Sequence, residues 1–269
     1  MKRLAVCFFG QVRFYESFNL FYPALVEELE DYKVDFFLST WDDCDKTKIN
    51  LDFAAHEFLN LCDTDIDESE AHTKKAMYLI SRVGLLKRKH ELENNFSYDK
   101  VLLIRPDVGF SIKEFADKIR QVSFTKEDRP TVYIARDYEL QPFDDHHIKR
   151  LHEDWFFLSS SDAFDIHTTL YNFIYRTQRW RYSTQKLYIG GHWNHLFYFE
   201  YFNFTIKVLD LSTIIIRPTR DLEVYKSNFI KDDLVVEVVR SSKQWEVVDE
   251  TEELKHIDGT VVPFKGRVV

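Results

Sequence analysis

The chain has 269 residues, 45% hydrophobic and 30% charged, enough to bury a full core as one large domain or one domain with a small appendage. Its 36 basic and 45 acidic residues leave a net charge of −9, against the basic balance of a generic nucleic-acid binder, and the 16% aromatic content excludes a disordered chain. Glycine is scarce at seven residues, with Gly190-Gly191 the sole adjacent pair, which excludes a dinucleotide fingerprint, a Walker loop or a G-x-S-x-G elbow.

Leu4–Phe9 (LAVCFF) is a continuous apolar run, as expected of a strand buried on both faces. It is too short for a signal-peptide core. A polar turn through Gly10, Gln11 and Arg13 leads to a predicted helix over about 17–30. Val34–Thr40 is the second strand and closes on Trp41-Asp42-Asp43. Helices are predicted over Leu51–Leu61 and about 73–94, where Ala76, Ile80, Val83 and Leu86 or Lys87 recur at helical spacing. Val101–Ile104 is the third strand, ended by Pro106, which has no amide proton to donate.

Ile112–Val122 reads as a helix, Thr131–Ala135 as a strand and Arg136–His152 as a long polar loop. The strand Trp155–Ser160 precedes helices over Ser161–Thr177 and about 185–201. Short strands are expected at Thr205–Leu211, Thr213–Arg217 and Leu234–Val239, and the tail is polar and β-prone. The alternation implies an α/β fold with a mainly parallel central sheet flanked by helices. The expected division is a catalytic domain over 1–225 and a C-terminal extension over 226–269 packed on it. Cys7, Cys44 and Cys62 have no C-x-x-C spacing, so disulfides and zinc are not expected and a reducing, cytoplasmic location is. No apolar stretch approaches 18 residues, so no membrane-spanning helix is expected.

In open α/β sheets ligands sit beyond the carboxyl ends of the strands. Strand one delivers Gln11 and Arg13 there, strand two Trp41, Asp42 and Asp43, and strand three Arg105 and Asp107. An aromatic ring, a guanidinium and carboxylates suit the base, phosphates and ribose or metal of a nucleoside diphosphate. Arg105 and Asp107 stand at i and i+2, on one side of an extended segment, where they can grip one ligand or pair with each other.

The ordered series AVCFFGQVR, VDFFLSTWD, a Lys87…Glu91 helix, YDKVLLIRPDVGF and DWFFLSSSDAFD resembles a glycosyltransferase family of GT-A-like fold, found in bacterial and viral surface-polysaccharide synthesis. The resemblance runs from about residue 4 to 217. It implies a Rossmann-like sheet, a nucleotide-sugar donor, a glycan acceptor, and Arg105-Pro106-Asp107 in place of an Asp-x-Asp motif. It further implies that Gln11 and Arg13 line the nucleotide site and that Trp41 and Asp42 lie near the base or ribose. Asp107 would hold a Mn²⁺ or Mg²⁺ ion. The chain departs from the pattern at Gly191-His192, where Pro-Glu is expected.

Competing motifs are weaker. Asp43-Cys44-Asp45 spells Asp-x-Asp too early in the chain, and Asp63 to Glu70 fails as a calcium loop for want of Gly and a terminal Glu. The His-Glu pairs at His56, His90 and His152 lack a second His four residues on, and Asp144-Asp145-His146-His147 reads as a loop. The general base of an inverting transfer is expected at Asp154, with His192 second. From Ile166 to Phe199 there is no acidic residue, while Arg176, Arg179 and Arg181 cluster among aromatics. That patch suits a diphosphate, an acidic acceptor or peripheral contact with an anionic membrane. The leading expectation is a glycosyltransferase; a non-catalytic carbohydrate- or nucleotide-binding module and a nucleotide-sugar hydrolase are the rivals.

Overall fold

A computed structural model describes residues 1–12, 15–64, 66, 72–124, 129–135, 137–139, 150–152, 154–176, 191–211, 213–215, 245–248, 253–256 and 261–263. The first half runs β1 (Lys2–Phe9), α1 (Tyr15–Glu28), β2 (Tyr32–Trp41), β3 (Ala55–Leu59), α2 (His72–Asn94), β4 (Lys100–Ile104), β5 (Val108–Phe110) and α3 (Ile112–Gln121). It continues through β6 (Thr131–Ile134), the paired β7 (Asp137–Glu139) and β8 (Arg150–His152), β9 (Phe156–Ser159), α4 (Ser161–His167) and α5 (Gly191–Tyr201). The last strands are β10 (Thr205–Val208), β11 (Thr213–Ile215), β12 (Trp245–Val248), β13 (Glu253–His256) and β14 (Val261–Pro263).

Seven strands form the central sheet in the order β10-β6-β9-β4-β1-β2-β3. Every pair in it is parallel except the two made by β9, which runs antiparallel to both β4 and β6. Alternation along β1 sends its side chains to two separate cores. Leu4, Val6 and Phe8 pack with α1 and α3, whereas Ala5, Cys7 and Phe9 pack with α2, α4 and α5. Both faces are therefore covered, the arrangement a parallel sheet requires. Much of the phenylalanine excess lies here: the Phe8 ring sits 5.0 Å from Phe18 and 4.4 Å from Tyr22, both edge-on.

Three expectations change. Leu51–Leu61 is not a helix; Ala55–Leu59 pairs in parallel with Phe37–Trp41 as the edge strand β3. The open edge of β2 supplies the hydrogen-bond partners, overriding weak local preference. Glu57 fixes the strand by accepting from Ser39 Oγ at 2.8 Å and from Arg82 at 3.1 and 2.8 Å. The polar loop Arg136–His152 contains the β7–β8 pair. The helix predicted over Ser161–Thr177 stops at His167, because Thr168 and Thr169 turn their hydroxyls back onto the carbonyls of Asp165 and Ile166, each at 2.9 Å. A π-helical turn, Asn172–Arg176, follows. The strand expected at Leu234–Val239 lies outside the described residues, and the β-prone tail forms the antiparallel set β12-β13-β14.

At Gly84 the backbone of α2 lies close against Thr168, the residue that caps the end of α4. A Cβ there would stand 2.4 Å from Thr168 Cγ2 and 2.6 Å from its Cβ. Gly84→Ala should therefore lower stability by about 1–3 kcal/mol in urea titration, despite the better helix propensity of alanine. A gain in stability would contradict this contact.

Candidate functional site

The carboxyl ends of β1, β2, β3 and β4 open onto one cavity of about 580 Å³. Its lining includes Gln11, Trp41, Asp42, Asp43, Asn60, Arg105, Asp107, Asp154 and His195, with the first turn of α2 (His72, Thr73, Lys75) along one side. Gly10 makes the turn out of β1 at φ +107°, a backbone conformation that a side chain disfavours. A Cβ there would meet Arg105 and Pro106 only at 3.9 Å, so the restriction comes from the backbone, not from space. The turn carries Gln11 over the cavity, where its amide donates to Asp43.

At the end of β4, Arg105 and Asp107 form a two-pronged ion pair. Arg105 Nε donates to Oδ1 at 2.9 Å and Nη2 to Oδ2 at 2.5 Å. Asp107 is buried, while Arg105 keeps 28% of its side chain exposed. The carboxylate thus holds the guanidinium flat and leaves the remaining N–H groups of Arg105 for a ligand. At the end of β2, Trp41 lies nearly parallel to Tyr78 of α2, with ring centroids 6.0 Å apart and 9° between planes. Tyr171 supports Tyr78 edge-on at 5.1 Å. Asp42 donates its backbone amide to Leu59 at 2.8 Å, and its carboxylate pairs with Lys46 at 2.5 Å.

Seven residues singled out in the sequence, Gln11, Trp41, Asp42, Asp43, Arg105, Asp107 and Asp154, thus share this one cavity. Arg13, Arg179 and Arg181 lie outside the described residues, as do the side chains of Arg176 and His192. The strand ends singled out in the sequence leave out the lining that comes from other elements, Asn60 after β3, His72, Thr73 and Lys75 of α2, and a histidine of α5. His195, one turn beyond His192 on α5, lines the cavity while only 2% exposed. Its signal was helical spacing to Tyr198 and Phe199, which are buried on the same helix.

No protein-family model and no curated protein sequence matches the chain. Among solved structures, a glycosyltransferase involved in the glycosylation of the major capsid of PBCV-1 is similar over 77% of this chain and 83% of its own, with a TM-score of 0.39 and 9% identity. Likeness at that level decides neither family nor activity.

The residues carry their own chemical constraints. Both oxygens of Asp107 are engaged by Arg105, so a divalent ion on Asp107 does not fit this arrangement. Among the described residues no three His, Cys, Asp or Glu side chains stand close enough to hold a metal ion. What the site does offer is a cation braced for an anionic oxygen, an aromatic platform and several acceptors for hydroxyl groups.

Two buried networks support these walls. Lys87 of α2 is fully buried and donates to Glu91 at 2.9 Å and Ser161 at 2.5 Å, with Asp165 at 2.7 Å. Glu91 also accepts from Ser161 Oγ at 2.7 Å and the Tyr98 amide at 2.8 Å. Burial alone would raise the Glu91 carboxyl, but the hydrogen bonds from Ser161, Tyr98 and Lys87 outweigh it and hold it below its ordinary range. Burial pushes Asp165 the other way, upward.

The second network is His167 of α4, hydrogen-bonded to His195 at 2.8 Å. Burial drives His167 down to about 3 from an ordinary 6.5. The unfolded chain therefore takes up a proton near pH 6.5 that the folded chain refuses. The stability linked to neutral His167 is full above pH 6.5 and drains away as pH falls toward 3, by about 1.4 kcal/mol per unit. Denaturant titrations should show His167→Gln flattening the loss by roughly 2–3 kcal/mol between about pH 6.5 and 4.5. Parallel curves for wild type and variant would contradict a neutral buried His167.

Proposed function

We propose that the cavity binds a nucleotide sugar and that the protein is a GT-A-like glycosyltransferase moving that sugar to a glycan acceptor. The observation that carries this reading is the pairing, in one cavity at the strand ends, of an Arg105 guanidinium braced by Asp107 with the Trp41 ring stacked on Tyr78. Arg105 would take the diphosphate oxygens, Trp41 the base, and Asp42 or Asp43 the ribose hydroxyls. In this reading Asp154 accepts the proton of the acceptor hydroxyl as its oxygen attacks the anomeric carbon. The bond from that carbon to the diphosphate breaks, and the charge released there meets Arg105. Asp107 acts through Arg105 in this scheme, and no step is routed through a metal.

A panel of UDP- and GDP-sugars, each with and without Mn²⁺ and with and without glycan acceptors, tests the proposal by nucleotide release. Acceptor-stimulated release is expected. Release indifferent to acceptor would make the protein a hydrolase, binding without release a carbohydrate or nucleotide module, and neither would remove the nucleotide reading.

A further inference from the structure

Between α2 and the sheet edge lie two layers of side chains, one nearer the cavity than the other. Residues two apart on a strand share a face, so Ser39 and Trp41 of β2 lie on the α2 side, as do Glu57 and Leu59 of β3. Tyr78 and Arg82 stand about one turn apart on α2. Trp41 and Leu59 line the cavity, whereas Ser39 and Glu57 do not.

The layer farther from the cavity is polar. Ser39 stands opposite Glu57 in the β2–β3 register, and Glu57 accepts from Ser39 Oγ at 2.8 Å and from both prongs of the Arg82 guanidinium at 3.1 and 2.8 Å. Only 15% of the Glu57 side chain is exposed, so solvent screens this fork only in part. The nearer layer is aromatic. Tyr78 takes one face of the Trp41 indole, 9° from parallel, and among the described residues Trp41 has no other ring partner. The torsion that turns an aromatic ring on its stem is only softly restrained, so a neighbour has to fix the plane of Trp41. Tyr78 can do so only while α2 keeps its height against β2 and β3. The fork between Glu57 and Arg82 holds that height, because a slide of α2 would break one of its prongs.

We propose that Tyr78 is a positioning residue that fixes the plane of the Trp41 indole in the cavity wall, and that the Glu57–Arg82 pair holds Tyr78 in place for it. The cavity then presents a preformed flat surface, which suits the planar π-system of a ligand. Naming that π-system as a nucleotide base rests on the proposed function; the fixed indole does not.

The test is a fluorine spectrum of the full chain labelled with 5-fluorotryptophan, with the Trp41 line assigned by its loss in Trp41→Phe. Wild type should show one sharp Trp41 line, and a broad one overturns the proposal. Tyr78→Leu should broaden or split the line as the indole samples several orientations, while Tyr78→Phe, which keeps the ring, should leave it sharp. A line that stays sharp in Tyr78→Leu overturns the proposal even if displaced, because losing the tyrosine ring current alone moves a line without broadening it. Glu57→Gln leaves both rings in place and should also broaden the line; a sharp line there overturns the role of the pair. Where Tyr78→Leu fails to fold, Glu57→Gln carries the test. In a parallel arm, UDP and GDP are titrated into wild type, Tyr78→Leu and Tyr78→Phe. Tyr78→Leu should weaken binding by about 5- to 10-fold, part of what base stacking contributes, and Tyr78→Phe should restore it. Equal affinity in Tyr78→Leu would overturn a part for the fixed indole in binding. If neither nucleotide binds wild type, the nucleotide reading fails while the spectrum still decides whether Tyr78 holds Trp41.

Discussion

Replacing Lys87 with methionine should destabilise the protein by about 3–5 kcal/mol, among the largest effects of any single substitution in the chain. The size follows from what stays behind. Glu91 and Asp165 stand 2.9 and 2.7 Å from the ammonium. Without Lys87, Glu91 keeps its bonds from Ser161 and Tyr98, but its nearest cation becomes the half-exposed Arg88 at 3.8 Å. Arg88 also serves Asp165 at 3.2 Å, so two like-charged carboxylates share one solvent-screened partner. Methionine matches the lysine stem in volume, so the loss reports charge and not packing. Pairing Lys87→Met with Glu91→Gln should recover part of it, because the orphaned charge is gone. The measurement is the urea midpoint of the three proteins. A loss in Lys87→Met below about 1 kcal/mol would mean the pair is screened as surface ion pairs are. The consequence reaches the cavity, since α2 supplies its side wall and this network ties α2 to the start of α4.

Arg105→Lys should lower kcat/KM with the best donor by about 10- to 100-fold while leaving the fold intact. Lysine keeps the charge but loses the planar fork that Asp107 holds at two points. Charge-assisted hydrogen bonds to an anion contribute about 1.5–3 kcal/mol, and each 1.4 kcal/mol is tenfold. Equal activity in the two proteins would show that a point charge suffices and that the fork has no part in catalysis.

The sheet was legible because β1, β2 and β4 are continuous apolar runs, buried on both faces as such runs demand. Their ends then named the cavity residues by a general rule of open sheets. Elements of marginal periodicity were misread. Ala55–Leu59 has no strand signature of its own and is a strand because β2 leaves an edge beside it. The Thr168-Thr169 pair ended α4 through side-chain bonds that hydropathy does not register. For the site, the sequence offered Arg105 and Asp107 either as joint ligand contacts or as an ion pair. They form the pair, and Arg105 still faces the cavity. His195 escaped notice because a histidine on a buried stripe looks like core until the cavity beside it is seen. The same holds for Lys87, which occupies an apolar position of α2 and is explained only by acids from α2 and α4.

The central claim is that Arg105, braced by Asp107, binds diphosphate in the strand-end cavity. Calorimetric titration of UDP and GDP into wild type and into the double variant Arg105→Gln with Asp107→Asn tests it most directly, because the neutral pair keeps a hydrogen bond and leaves no buried orphan charge. Wild type should bind at least one nucleotide, and the double variant should bind it about 10- to 100-fold more weakly at unchanged urea stability. Equal affinity in both proteins would contradict the account.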